Sequence, residues 1–279
     1  MIPANLTTQI KEQIKQSVID LRSKKPLVPS ITNTVTINLV ANTQLAVGAS
    51  AAMIYLPDEG EFIATAGESV YINLGTLFPI HSETLIRTAK TLNKLNKPWV
   101  LDPVAIGIGE LRTDIIKKYK EYKPSIIRGN ASEIIALAKI WELTETPNTK
   151  GPVGVDSTDN VSDAQNAAIQ LAKYTKGAVA VSGEEDLITD GTLVITSMGG
   201  SHFMEKITGA GCSLGGVCAA YSTVTTPLIA ALTATQHYNF AGKQAELKTK
   251  APGSFQVEFI DQLYIATPED IAENPFIIK

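Results

Sequence analysis

The sequence predicts an α/β protein with a mostly parallel central sheet, helices on both faces and an antiparallel edge. Three observations predict it. Short apolar runs alternate with helix-periodic segments from the N-terminus to Val181 of the 279-residue chain, the rhythm of successive strand–helix–strand units. Beyond Val181 the rhythm breaks into short apolar runs around an Asp190-Gly191 turn, which reads as antiparallel pairing at one edge. Polar clusters follow several of the apolar runs, and open parallel sheets hold their ligands at such strand ends.

The elements follow in chain order. Leu6, Ile10, Ile14, Val18 and Leu21 form a helical stripe over 6–24, which Pro26 stops. Apolar runs at 27–31, 52–56, 70–74, 99–101, 126–127 and 178–181 are expected strands. Between them, 36–47, 82–95, 112–122, 131–141 and 163–174 carry the three-to-four spacing of helices. The antiparallel edge is expected from strands at 187–189, 193–196 and 203–206. Helices at 212–224 and 227–247 and a last pair after Pro252 close the chain. No repeat or low-complexity linker interrupts it, so one domain over 1–279 is expected, with the loop from Pro147 to Pro152 the weakest point for a boundary.

Composition narrows the function classes. Hydrophobic residues make up 44% and charged residues 19%, which suits a large buried core and excludes a disordered chain. The net charge is -4 and no long Lys/Arg cluster occurs, so nucleic acid is not the expected partner. No apolar run approaches the ~18 residues of a membrane span, and the N-terminus lacks the basic-then-apolar pattern of a signal peptide. Cys212 and Cys218 fall too close together on one expected helix to suggest a disulfide. A reduced, cytoplasmic protein without a membrane role is expected. His81, His202 and His237 share no metal-ligand spacing, and His237 reads as structural.

The stretch from Lys206 to Leu214, KITGAGCSL, carries the first chemical signal. Gly209 and Gly211 leave amides uncovered at the start of a helix, whose dipole favours an anion there. A cysteine in that first turn, Cys212, is expected to have a lowered pKa and to serve as a base or nucleophile. A tight turn ending in a buried cysteine fits the same residues. Neither a P-loop nor a dinucleotide fingerprint is present, since no G-x-x-x-x-G-K-[ST] occurs and Gly209-x-Gly211 lacks its third glycine.

Asn130-x-x-Glu133 also opens a helix after a strand. It reads either as a capping pair or as a carboxylate set beside phosphates to hold Mg²⁺ through water. Arg128 could pair with phosphate oxygens. Asp102-Pro103 ends another apolar run, as a functional carboxylate or as a turn starter. An anion-binding helix terminus with Asp102, Arg128 and Glu133, and no P-loop lysine, suits phosphoryl transfer better than hydride transfer.

A longer series of motifs resembles one family. Ser30-Ile31-Thr32-Asn33, Val47 to Met53, Ile72 to Thr76, Leu101 to Val104, Ile127 to Ile134, Gly154 to Ser157, Ser182 to Asp186, Ile207 to Cys212 and Pro252 to Gln256 occur in the order seen in hydroxyethylthiazole kinases. The resemblance implies a ribokinase-like three-layer fold and ATP-dependent phosphorylation of the primary hydroxyl of 4-methyl-5-(2-hydroxyethyl)thiazole, a thiamine salvage step. It also implies Mg²⁺ and a homotrimer with active sites between subunits. By motif, Met53 and Gly209 would contact the thiazole. Arg128, Ser182 and Gly211 would bind ATP, Asp102 and Glu133 would serve the metal and phosphates, and Cys212 would stand where related sugar kinases place a general base.

The chain departs from the family's pattern around Tyr55, and at Ala105 where many relatives have glycine. Both changes fall near the expected alcohol pocket. A kinase of another small alcohol, of pyrimidine or pyridoxal type, is therefore the second reading, and a catalytically silent binding protein the third.

Overall fold

The computed structural model describes residues 5–144 and 160–279. The segments Pro147 to Pro152 and Gly154 to Ser157 singled out above lie outside the described residues. Strands β1 (Leu27–Ile31), β2 (Ser50–Met53), β3 (Val70–Asn73), β4 (Trp99–Asp102), β5 (Ile126–Asn130), β6 (Ala178–Ser182), β7 (Glu185–Thr189), β8 (Val194–Met198) and β9 (Phe276–Ile278) form one sheet. Their spatial order is β2-β1-β3-β4-β5-β6-β7-β8-β9. The pairs from β2 to β6 are parallel, and those from β6 to β9 are antiparallel.

Side chains alternate across the two faces of a strand, and that alternation sorts the core into two layers. Val28, Tyr71, Val100, Ile126 and Ala180 pack with helices α1 (Leu6–Lys24), α2 (Ile37–Val47), α8 (Ala210–Tyr221), α9 (Pro227–Lys248), α10 (Pro252–Ile265) and α11 (Pro268–Glu273). Ile31, Ile72, Leu101, Ile127 and Val181 pack with α3 (Pro57–Ala66), α4 (His81–Leu95), α5 (Glu110–Tyr122), α6 (Ala131–Ile140) and α7 (Val161–Thr175) on the other face. Strands buried on both sides read as continuous apolar runs, as a parallel sheet requires. The three-layer architecture and antiparallel edge match the expectation.

Three local expectations differ. Residues 203–206, expected as a strand, form a 3₁₀ turn, His202–Lys206. Gly199 and Gly200 take positive φ (142° and 77°) and turn the chain out of the sheet after Met198. Ser201 then caps the turn, its hydroxyl accepting from the Phe203 amide. The expected strand over 52–56 begins earlier, at Ser50, and ends at Met53. Its tail leads into α3, a helix the apolar pattern does not reveal, although Pro57 at the first position with Asp58 and Glu59 in the first turn is a helix start. The short β9 completes the edge by pairing Phe276 with Ser197 and Ile278 with Ile195.

Candidate active site

The alternation that layers the core also gathers the site. Asn73 lies two residues after Tyr71, Asp102 two after Val100, Arg128 two after Ile126 and Ser182 two after Ala180. Each polar residue thus emerges on the α8 face of its strand, near the carboxyl end. Helix α8 starts at the same end of the sheet. Its N-cap, Gly209, has φ 96°, and a Cβ there would stand 2.8 Å from Thr36 Cβ, so glycine is needed on both counts. The amide of Ser213 bonds the Gly209 carbonyl at 2.8 Å. By helix geometry the amides of Ala210, Gly211 and Cys212 have no acceptor within the helix.

Arg128 faces that terminus. Its Nη1 lies 3.4 Å from Asp102 Oδ2, and its Nη2 donates to Ser182 Oγ at 2.9 Å. Burial works against its charge, but Asp102 and Glu133 hold its pKa above the ordinary guanidinium value. Arg128, Ser182 and Gly211 line one cleft of about 780 Å³, with Gly183, Asp186, Leu214 and Asn239 also on its walls. The three residues expected at ATP therefore share one open cavity.

Asp102 is fully buried. Its Oδ2 accepts from Tyr71 Oη (2.9 Å) and Asn73 Nδ2 (3.2 Å) and meets Arg128 Nη1, whereas its Oδ1 is buried without a hydrogen-bond partner among the described residues. Burial raises its pKa against the pull of Arg128. Glu133 is the third residue of α6. Its Oε2 accepts from the Asn130 amide (2.9 Å), Asn130 Oδ1 accepts from the Glu133 amide (2.9 Å), and Glu133 Oε1 accepts from the Ala105 amide (3.4 Å). The capping reading of this pair is therefore formed. Burial and the nearby Asp102 push the Glu133 carboxyl up to about 7. Ala105, the position where many relatives have glycine, is held at φ 60° in the left-handed region.

The Cys212 thiol differs from expectation. Its pKa is not lowered by the helix N-terminus; burial, helped by Asp102, pushes it up to about 11, against smaller opposing contributions from Arg128, Asn73 and Thr36. Asn33 Nδ2 contacts Cys212 Sγ at 3.6 Å and donates to Asn73 Oδ1 at 3.0 Å. Cys212 is thus joined to Asp102 through amide side chains. His237 is structural as expected, buried between Tyr221 Oη and the Leu263 carbonyl.

Met53 ends the edge strand β2, opposite Ser30 of β1, and is not among the residues lining the cleft. Gly209 is one residue from that lining. Sequence reasoning missed Tyr71, which looks like an ordinary apolar strand residue. It also missed the pairing of Asp186 with Asn239. Asn239 Nδ2 donates to Asp186 Oδ2 at 2.9 Å and the Gly183 amide donates to Asp186 Oδ1 at 3.1 Å, shaping the turn after Ser182. No group of three or more His, Cys, Asp or Glu side chains arranged as a metal cage occurs among the described residues. Mg²⁺ is usually held by one or two carboxylates plus substrate phosphates. The buried, unpartnered Asp102 Oδ1 is an oxygen donor of the kind it takes.

The fold is ribokinase-like. The structure matches the pyridoxal kinase from Staphylococcus aureus in complex with AMP-PCP and pyridoxal, with a TM-score of 0.56 at 18% identity, over 78% of this chain and 88% of that one, a likeness of fold alone. It matches a hydroxyethylthiazole kinase protein from Pyrococcus horikoshii far more fully, with a TM-score of 0.83 at 29% identity over 96% and 98% of the two chains. A hydroxyethylthiazole kinase of Bifidobacterium longum is 48% identical, covering 99% of this chain and 94% of that protein. Residues 18–269 match the model of the hydroxyethylthiazole kinase family, and the chain belongs to that family.

Proposed function

We propose that this protein transfers the γ-phosphoryl group of ATP to the primary hydroxyl of 4-methyl-5-(2-hydroxyethyl)thiazole, a salvage step toward thiamine. Within the family assignment, one observation carries the reading. The α8 N-terminus, Arg128 and Ser182 converge on a single cleft, and Asp102, with one oxygen unsatisfied, is paired to that same arginine.

In this proposal the nucleotide enters the cleft with its phosphates toward the amides of Ala210–Cys212 and the Arg128 guanidinium. Those donors are fixed before the reaction and oppose the charge that develops on the transferring group. Ser182 Oγ holds Arg128 Nη2 in place. Asp102 and Glu133 would hold Mg²⁺, directly or through water, and the bound ion would neutralise charge on the phosphate oxygens. Cys212 would sit beside the attacking hydroxyl as its hydrogen-bond partner. A thiol raised to about 11 holds its proton at neutral pH, so we assign Cys212 to orienting the hydroxyl through a hydrogen bond, the hydroxyl proton passing to an oxygen of the transferred phosphoryl group late in the step. Phosphoryl transfer asks little of a base before the transition state.

Met53 and Gly209 would contact the thiazole. Met53 lies on the outer strand of the sheet, and Val35 (68% exposed) and Phe62 (71%) leave apolar surface uncovered. The homotrimer in which a second copy completes the thiazole pocket is the assembly that the family resemblance implies. The single sheet supports one kinase domain. No described helix is long and apolar enough to cross a membrane. We assign the protein to the cytoplasm on its cysteine usage.

The test is transfer of labelled γ-phosphate from ATP to the thiazole alcohol with Mg²⁺ present. Absence of turnover by the folded, assembled protein would refute the proposal.

A further inference from the structure

Tyr71 is fully buried in β3, yet carries a hydroxyl into the site. Its ring occupies the space that a side chain at position 215 of α8 would need. A Cβ on Gly215 would stand 2.7 Å from Tyr71 Cζ and 2.9 Å from its Oη. The hydroxyl donates to Asp102 Oδ2 at 2.9 Å and accepts from Asn73 Nδ2 at 2.9 Å. Asn73 and Arg128 reach the same Oδ2. Among the described residues every hydrogen bond to the carboxylate therefore falls on one oxygen, and the other is buried without one. A carboxylate held this way cannot rotate to exchange its oxygens without breaking these contacts together.

We propose that Tyr71 is a positioning residue, whose hydroxyl locks the Asp102 carboxylate so that Oδ1 alone is offered to the ligand, the space for its ring being supplied by Gly215. This rests on the phosphoryl-transfer reading above. Buried polar groups are hydrogen-bonded as a rule, so the bare oxygen is the one reserved for a cation or water brought by the nucleotide. The arrangement also ties the carboxylate of β4 to α8, the helix that carries Cys212.

Tyr71→Phe keeps the ring and removes only the hydroxyl. Its expected effect is a fall in kcat of about tenfold, a 1.4 kcal/mol change in the barrier, with KM for the alcohol within about twofold of wild type. Calorimetry gives a readout independent of turnover. ADP affinity measured with Mg²⁺ should fall several-fold, while ADP affinity measured with a chelator should stay unchanged. The double variant Tyr71→Val with Gly215→Ala partly refills the space and lacks the hydroxyl, and should show the same losses even if Tyr71→Phe fails to fold. Wild-type kcat and wild-type Mg²⁺-dependent ADP affinity in the variant that folds would overturn the inference, as would equal loss of ADP affinity with and without Mg²⁺. An inactive wild-type protein would count against the thiazole reaction instead, and the calorimetric comparison would still decide the role of Tyr71.

Discussion

Gly211 of α8 lies directly against the guanidinium of Arg128: a Cβ there would stand 2.8 Å from Nη2 and 2.9 Å from Nη1. The close approach places the arginine beside the helix terminus, and together they would form the proposed anion site. Gly211→Ala should displace Arg128 from Ser182 and Asp102. KM for ATP is expected to rise about tenfold, equivalent to ~1.4 kcal/mol of binding. The melting temperature should fall as well, because the displaced arginine leaves the buried Asp102 carboxylate without its cation. Unchanged ATP affinity in steady-state kinetics would show that the amides and Arg128 do not act as one site.

Cys212 should behave as a partly buried thiol whose charged form is disfavoured. Alkylation by iodoacetamide is expected to be slow at neutral pH and to accelerate as pH approaches about 11, where the thiolate forms. Cys212→Ser should lower kcat about tenfold, within the range for a lost hydrogen-bonding partner to a reacting group, with little change in ATP binding. Rapid alkylation at neutral pH would mean that the helix terminus outweighs burial after all.

Glu133→Gln separates the cap from the chemistry. Glutamine can still cap the Asn130 amide, so the melting temperature should change little. The lost charge should reduce kcat by ~10–100-fold, the usual cost of altering a group around a metal site. The wild-type carboxyl is raised to about 7. In the metal-free protein its charged form fills only as pH climbs through that value, so Mg²⁺ affinity should rise across pH 6–8 in wild type and not in the variant. A melting shift with unchanged kcat would reduce Glu133 to a helix cap.

His237 makes stability acid-sensitive. Its buried ring, with Nε2 donating to the Leu263 carbonyl and Nδ1 accepting from Tyr221 Oη, is held neutral by burial and titrates only at about 3. An unfolded histidine binds its proton near 6.5. Its contribution is therefore full above about pH 6.5 and is lost as pH falls toward 3. Denaturant titrations should show stability declining on acidification, and His237→Gln should be less stable at pH 7 but flatter with pH. An equal slope in both proteins would remove His237 as the source.

The sheet was legible because each buried strand is a continuous apolar run, and the site partly because polar residues cluster just after those runs. Arg128 and Ser182 follow such runs, Gly211 stands out as a glycine opening a helix, and all three line one cleft. The state of Cys212 was not legible. Local sequence shows the helix terminus beside it, whereas burial and Asp102 come from distant segments and outweigh that dipole. Tyr71 was hidden for a similar reason: its partner Asp102 is 31 residues away, and only assembly reveals the phenol as polar. The 3₁₀ turn at His202–Lys206 replaced a strand because Gly199 and Gly200 fix the backbone there whatever the apolar content that follows.

The central claim is the identity of the alcohol, and competition tests it most directly. The thiazole alcohol, pyridoxal and a hydroxymethylpyrimidine would be offered together with Mg²⁺ and ATP, and kcat/KM obtained for each. The thiazole alcohol should be preferred by at least about a hundredfold, the discrimination available to a pocket shaped for one ring. Higher kcat/KM for either of the other alcohols, or no phosphorylated product from any of them, would contradict the account.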